Sequence, residues 1–358
     1  MTKPVALASC GTLVRDAVKY THGGNADMPG VDSPRRLGED RPTKRPQSRT
    51  PEEPGCHREE DEMPNVPLVD AHLHLWDPTR FRMSWLDGND ILDRPHLLAD
   101  YAEATAGIDV AAMVYLQVEV EPAYALLEAR WAEERAREDP RLQGIVAWAP
   151  LEHGERARSI LDELAATTPN LKGIRRLIQS EPDPDFCTRP DFVRGVQLLP
   201  DYGLSFDLCI YARQLPATIE LVRRCPDVSF MLDHIGKPDI RASAYEPWAT
   251  QMAELAAFPN VSCKISGVAT EANLDSWTTE DIAPYVRRAI EVFGEDRVAF
   301  GGDWPVLRLA GTWRRWVDTL DEITADLSDD ARAKLWADNA RRFYRLPAAQ
   351  DARQQERD

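Results

Sequence analysis

From residue 67 onward the chain alternates two kinds of hydrophobic pattern. Short apolar and β-branched runs occur at 67–76, 110–119 (VAAMVYLQVE), 142–150, 171–179, 204–212, 228–236, 261–268 and 297–306. Between them lie stretches such as PAYALLEARWAEERARED and IAPYVRRAIEVFG, whose apolar residues recur at helical spacing among charges. In the first of these, Tyr124, Leu127, Ala129 and Trp131 form an interrupted apolar stripe. Strands separated by helices predict parallel β-α-β units, and eight of them over about 275 residues predict a closed (β/α)8 TIM barrel. An open doubly wound sheet is the alternative. The first strand is not followed by a G-x-G-x-x-G turn, which counts against it.

Residues 1–64 carry no such rhythm. The segment is rich in Pro, Gly, Arg and Glu, and it has too little apolar surface to offset the entropy of ordering it. It reads as a disordered extension, followed by one barrel over 65–346 and a polar tail over 347–358. His22 and His57 fall in the extension and are set aside as catalytic candidates. LASC, ending at Cys10, resembles a lipoprotein cleavage box, but the apolar stretch before it is shorter than a signal peptide needs.

The composition narrows the function. A formal net charge of −17 argues against a nucleic-acid surface. No run approaches the roughly 18 apolar residues that span a membrane. The six cysteines form no CxxC pair or dense framework, and Cys209 and Cys263 sit in apolar strands, which fits a reducing cytoplasm.

In such a barrel, active sites form at the C-terminal ends of the strands. The first run reads PLVDAHLHLWDP. Simple alternation puts Asp70, His72 and His74 on one face and Val69, Ala71 and Leu73 on the other, so the histidines are expected to point inward while the apolar set packs on helices. The sixth run ends in LDHIGKP, bringing His234 to the same end, and the eighth ends in GGDWP, bringing Asp303. Gln117, Arg175 and Lys264 stand on the second, fourth and seventh. Trp85 lies in the long loop after the first strand, where it either lids a substrate or merely packs. Each residue has a bland reading when taken singly; their joint placement at one mouth points to function. His96 and His153 look like surface or capping positions. Trp131, Trp313, Trp316 and Trp336 are expected in the core.

With these residues in place, the sequence resembles the amidohydrolase superfamily, and within it the sugar lactonase branch of L-fuconolactonase, L-rhamnonolactonase and 2-pyrone-4,6-dicarboxylate lactonase. The stretches that carry the resemblance are VDAHLHLWDP, WLDG, GIRRLIQ, LDHIGKP, CKISG and GGDWPV, in family order, with LWADNARRFYRL resembling the closing helix. It spans residues 67 to about 345. Members with two metals bridge them by a strand-4 lysine and add a strand-5 histidine. Here Lys172 stands at the wrong end of strand 4, and LSFDLCIYARQ has no histidine. What remains is His72, His74 and Asp303, with His234 nearby: enough for one Zn²⁺, or for none.

The resemblance implies hydrolysis of a small-molecule aldonolactone to the open acid. Asp303 would be the general base, with His72, His74, His234 and Lys264 stabilising the oxyanion, and Arg175, Gln117 and Trp85 holding the substrate. A pyrone-dicarboxylate lactonase and a Zn-dependent decarboxylase are the competing readings.

Overall fold

The computed structural model describes residues 67–347. The expected extension, with His22, His57 and Cys10, and nearly all of the polar tail lie outside the described residues. Eight strands are present: β1 Leu68–Leu73, β2 Val110–Leu116, β3 Leu142–Ala147, β4 Leu171–Ile174, β5 Ser205–Leu208, β6 Phe230–Leu232, β7 Val261–Ile265 and β8 Val298–Phe300. They pair in sequence order, all parallel. A parallel bridge from Leu73 to Trp304 joins β8 to β1. The architecture is a (β/α)8 barrel.

The crossover helices are α1 Leu98–Ala104, α2 Ala125–Glu138, α3 Arg158–Thr167, α4 Pro190–Val196, α5 Leu215–Arg224, α6 Trp248–Ala256, α7 Thr279–Phe293 and α8 Trp313–Ile323. Two short helices, α9 Asp329–Ala333 and α10 Asn339–Tyr344, follow through one π-turn. Among the described residues no helix is long and apolar enough to cross a membrane. Trp131, Trp313, Trp316 and Trp336 are all buried. On α2 the stripe differs from the expected one. Leu127 is exposed, and the buried face runs through Ala125, Ala129, Ala132 and Ala136.

Two apolar cores share the barrel wall. The larger lies between strands and helices, while the smaller gathers Val69, Ala71, Ala112, Val114, Leu116, Val146, Met231 and Ala299 with Tyr344 and Leu346. Its strand members come from β1, β2, β3, β6 and β8, on opposite sides of the closed sheet, so this second cluster fills the lumen, with α10 plugging the floor.

Here the simple alternation along β1 fails. Val69 and Ala71 belong to the lumen, while Asp70 turns outward to helices α1 and α8, accepting hydrogen bonds from Tyr101 Oη (2.8 Å) and Trp313 Nε1 (3.4 Å). The cause is a bulge. Asp70 pairs with Met113 and Leu73 with Tyr115, so three steps on β1 oppose two on β2. The extra residue resets the phase, and His72 and His74 then face inward above the apolar pair. Asp70 also accepts from the backbone N–H of His72 (3.0 Å) and of Gly302 (2.8 Å), tying β1 to the β8 end.

Each strand is shorter than its apolar run, because the last residues of the run leave the ladder. The second half of VSFMLDHIG is a turn, not a strand: His234, Ile235, Gly236 and Lys237 have φ of 55°, 48°, 71° and 47°. Asp303 (φ 53°) and Glu119 (φ 55°) are also left-handed. Non-glycine residues held there store strain, which clusters at functional sites.

Candidate active site

His72, His74, His234 and Asp303 meet at the C-terminal mouth of the barrel. The two β1 imidazoles are edge to face, with Nε2 atoms 3.1 Å apart. Asp303 Oδ1 lies 3.5 Å from His74 Nε2, 3.7 Å from His72 Nε2 and 3.9 Å from His234 Nε2. All four residues are at most 5% exposed.

Each imidazole is oriented from its Nδ1 side. His74 Nδ1 is 2.8 Å from the Leu116 carbonyl, which accepts its proton and leaves a lone pair on Nε2. His234 Nδ1 is 3.0 Å from Ser266 Oγ, and His72 Nδ1 is 3.3 Å from Asp233 Oδ1. Three Nε2 atoms thus converge on Asp303 Oδ1, a buried oxygen with no hydrogen-bond partner.

Burial pushes all three histidines below their ordinary pKa. For His72, the Lys264, His74 and Arg175 charges add to that, while for His74 and His234 the Asp303 carboxylate opposes it. The imidazoles are therefore neutral, as ligation or proton acceptance requires. Burial alone would raise Asp303, but His234, His74 and Lys237 outweigh it and hold the carboxyl below its usual range. Lys237 adds a lasting positive charge that acts on Asp303.

Under this cluster lies a network of buried charges. Lys264 is wholly buried, and its ammonium donates to Asp207 (2.6 Å) and Asp233 (3.0 Å) and stands 3.4 Å from His72 Nδ1. Arg175 Nη1 reaches Asp233 Oδ2 (3.3 Å) and His72 Nε2 (3.2 Å), while Nη2 donates to the Gln117 carbonyl. Tyr344 Oη donates to Asp207 from below at 2.6 Å. Lys264 and Arg175 thus sit beneath the site with their charges spent on carboxylates. Gln117 is buried, its Oε1 accepting from Glu119 N–H at 2.5 Å and its Nε2 left without a partner. Trp85 is half-buried, donates to the Val118 carbonyl at 2.8 Å and meets Trp76 edge to face.

His96 departs from its expected surface position. It is fully buried between the rings of Trp76 and Trp304, and its backbone bridges Trp76. Burial, then Arg308 and Arg94, lowers its pKa to about 4. It stands between Pro95 and the start of α1, a position that reads as a cap; no local pattern reveals the aromatic slot it fills. His153 is exposed. Cys209 and Cys263 are buried free thiols, both pushed up by burial, Cys209 to about 11.

Several site residues escaped the sequence reading. Asp207, inside β5, and Asp233, just past β6, are acids that interrupt apolar runs, and that interruption is their signal in the sequence. Lys237 and Glu271 follow β6 and β7 at the mouth. Gly267 (φ +59°) carries no side chain because a Cβ there would lie 2.4 Å from His234 Nδ1 and 2.9 Å from Asp303 Oδ2.

The donor set fits a single metal ion. His72, His74 and Asp303 offer ligand atoms within 4.8 Å of one another, and the unpartnered Asp303 oxygen is what a cation would complete. A carboxylate and a carbonyl behind His72 and His74 are the partners metal-bound imidazoles favour. A second ion is disfavoured: the other group close enough among the described residues, His72, Asp233 and His234, shares His72 with the first and needs Asp233, already held by Lys264 and Arg175, while Lys172 lies toward the floor, its carbonyl bonded to Ser205 and Arg345.

Residues 69–346 match the amidohydrolase family model, and the chain belongs to that family of enzymes. An uncharacterized protein y4mH of Sinorhizobium fredii is 31% identical over 79% of this chain and 100% of its own. An L-fucono-1,5-lactonase of Burkholderia ambifaria is 31% identical over 78% of this chain and 95% of its own. The crystal structure of an amidohydrolase from Burkholderia multivorans with bound Zn superposes with a TM-score of 0.71, at 28% identity over 79% of this chain and 100% of that one.

Proposed function

We propose that this enzyme hydrolyses a sugar-acid lactone to the open hydroxy acid. The observation that carries the reading is the unpartnered Asp303 oxygen facing three neutral imidazoles at the barrel mouth. Asp303, kept ionised, takes a proton from water as the oxygen attacks the lactone carbonyl. When the tetrahedral intermediate collapses, the Asp303 carboxyl returns that proton to the departing ring oxygen. His74 and His234 hold the attacking water and the carbonyl in line. His72 is fixed by Asp233, which Lys264 and Arg175 anchor from beneath, so these two cations act on the site through His72. Gln117 and Trp85 border the substrate.

His72, His74 and Asp303 would hold one Zn²⁺, which when bound polarises the carbonyl or lowers the pKa of water. An ester of this kind is activated enough that the same carboxylate can serve without it.

The charge balance favours a neutral sugar lactone over a pyrone dicarboxylate. A dianion needs several free cations, and three near the mouth already face carboxylates: Arg176 binds Glu152 (3.1 Å) and Glu181 (2.6 Å), Arg175 binds Asp233, and Lys237 stands by Glu271, which leaves Arg213, bonded to the Gln179 and Glu181 carbonyls. The named relative acts on a fuconolactone, of the neutral class.

The deciding experiment is turnover of an aldonolactone panel, followed by pH indicator, on metal-replete and chelated enzyme beside Asp303→Asn. Turnover that survives chelation and falls in Asp303→Asn makes the carboxylate sufficient. Loss on chelation with rescue by Zn²⁺ makes His72 and His74 ligands. No turnover of any lactone sinks the reading and brings the decarboxylase forward.

A further inference from the structure

The strained turn after β6 raises a question that the water-activating cluster does not answer. After β6 the chain holds four left-handed residues in succession, from His234 to Lys237, whose N–H returns to the His234 carbonyl at 2.9 Å. Left-handed residues normally occur singly. The added strain has a visible result: it brings the Lys237 side chain over the same mouth, where its charge acts on Asp303, His234 and His72.

Opposite Lys237 stands Glu271, on the turn that follows Gly267 and β7. Lys237 Nζ and Glu271 Oε1 are 3.8 Å apart, with the two side chains 15% and 17% exposed. That distance balances charge but is too long for a hydrogen bond. Among the described residues neither side chain donates or accepts any other hydrogen bond. The contrast is with Arg176, whose Nε and Nη2 donate to Glu152 and Glu181 and whose Nη1 donates to the Leu177 carbonyl. A largely desolvated ammonium and carboxylate held just apart keep their hydrogen-bonding capacity for something else. The pair is neutral as a unit, so what it receives is polar and uncharged. Tyr211, one of the few exposed large aromatic residues, borders it with its ring centre 5.4 Å from Nζ.

We infer that Lys237 and Glu271 form the subsite for two neighbouring hydroxyl groups on the substrate ring. The ammonium donates to one hydroxyl oxygen and the carboxylate accepts from the other hydroxyl. The inference rests on the lactone reading and narrows it: the substrate is a lactone with free adjacent hydroxyls beside the carbonyl held at Asp303. Sites built to hydrogen-bond a hydroxyl reject an analogue lacking it by large factors, because the site's own groups are left unpaired.

The test uses the full-length enzyme with two pairs of probes. One pair is a polyhydroxylated six-membered lactone and unsubstituted δ-valerolactone, compared by kcat/KM. The other is the matching hydroxylated lactam and 2-piperidone, which resist hydrolysis and are compared by calorimetric Kd. The wild type should prefer the hydroxylated member of each pair by at least about 100-fold. Glu271→Gln, nearly isosteric, and Lys237→Gln should each cut that preference at least about tenfold, because a lost charge-assisted hydrogen bond weakens one member of the pair alone. General damage would lower both members together, and thermal melting identifies a variant that has not folded; Glu271→Gln then decides alone. An unchanged preference in a folded Glu271→Gln overturns the inference, as does a wild type that binds both lactams equally. If no lactone is turned over, the lactonase reading fails by itself, and the lactam preference still decides this one.

Discussion

The barrel holds two groups of buried charges, one stacked on the other, and they are built on opposite principles. In the floor, Lys264, Asp207, Asp233, Arg175 and Tyr344 satisfy one another almost completely, with Asp207 Oδ1 and Arg175 Nε the atoms left over. In the mouth, Asp303 Oδ1, Gln117 Nε2 and Glu119 Oε2 have no partner, and Lys237 stands off from Glu271. The same residue types serve both. A closed network specifies a geometry and holds it, whereas an open one is incomplete until something arrives. The difference separates the residues that build the site from those that meet its ligand.

The comparison can be broken most forcefully from below. Lys264→Met leaves two buried carboxylates without their shared cation and is expected to cost about 3–5 kcal/mol, read as a drop in the urea midpoint. An unchanged midpoint would show that the floor carries no structural charge. Asp303→Asn should do the reverse. Hydrolysis falls by on the order of 10³-fold, while the melting temperature falls far less than in Lys264→Met, since Asn is nearly isosteric and Lys237 keeps Glu271 as a counter-charge. An Asp303→Asn as destabilised as Lys264→Met would place that residue with the floor. Tyr344→Phe removes one hydrogen bond to a carboxylate that keeps Lys264, so about 2 kcal/mol of stability should go, with kcat changed far less than in Asp303→Asn.

The last prediction concerns acid. His96 has a pKa lowered to about 4, and His72, His74 and His234 are lowered too. A histidine whose pKa falls on folding binds its proton more readily when unfolded. Stability is therefore complete above about pH 6.5 and is lost as pH falls toward 4. Chemical denaturation at stepped pH reads the slope, and His96→Gln should make it shallower; an identical slope would mean His96 is solvated.

The eight strands were legible because a parallel strand buried on both faces reads as a continuous apolar run. His72, His74, His234 and Asp303 were legible as ionisable residues interrupting such runs at one end. Three things were not. The direction of Asp70 depends on a bulge, which needs the partner strand to be seen. Lys264 looks from the sequence like a residue for the mouth, because only the folded barrel brings Asp207 and Asp233 against it. Lys237 is one residue before a proline in GKP and reads as a loop end; its return to the mouth follows from left-handed backbone that no side-chain pattern encodes.

The bulge at residues 70–73 acts on β1 as a frameshift acts on a message. Upstream of it one register of the strand writes apolar side chains into the lumen, and downstream the other register writes imidazoles there. The packed base and the reactive top are therefore specified in separate frames of a single strand. Replacing His72 or His74 rewrites the top alone. If β1 alternated strictly from Val69 with no bulge, every letter below would stay intact and both histidines would turn toward the helices.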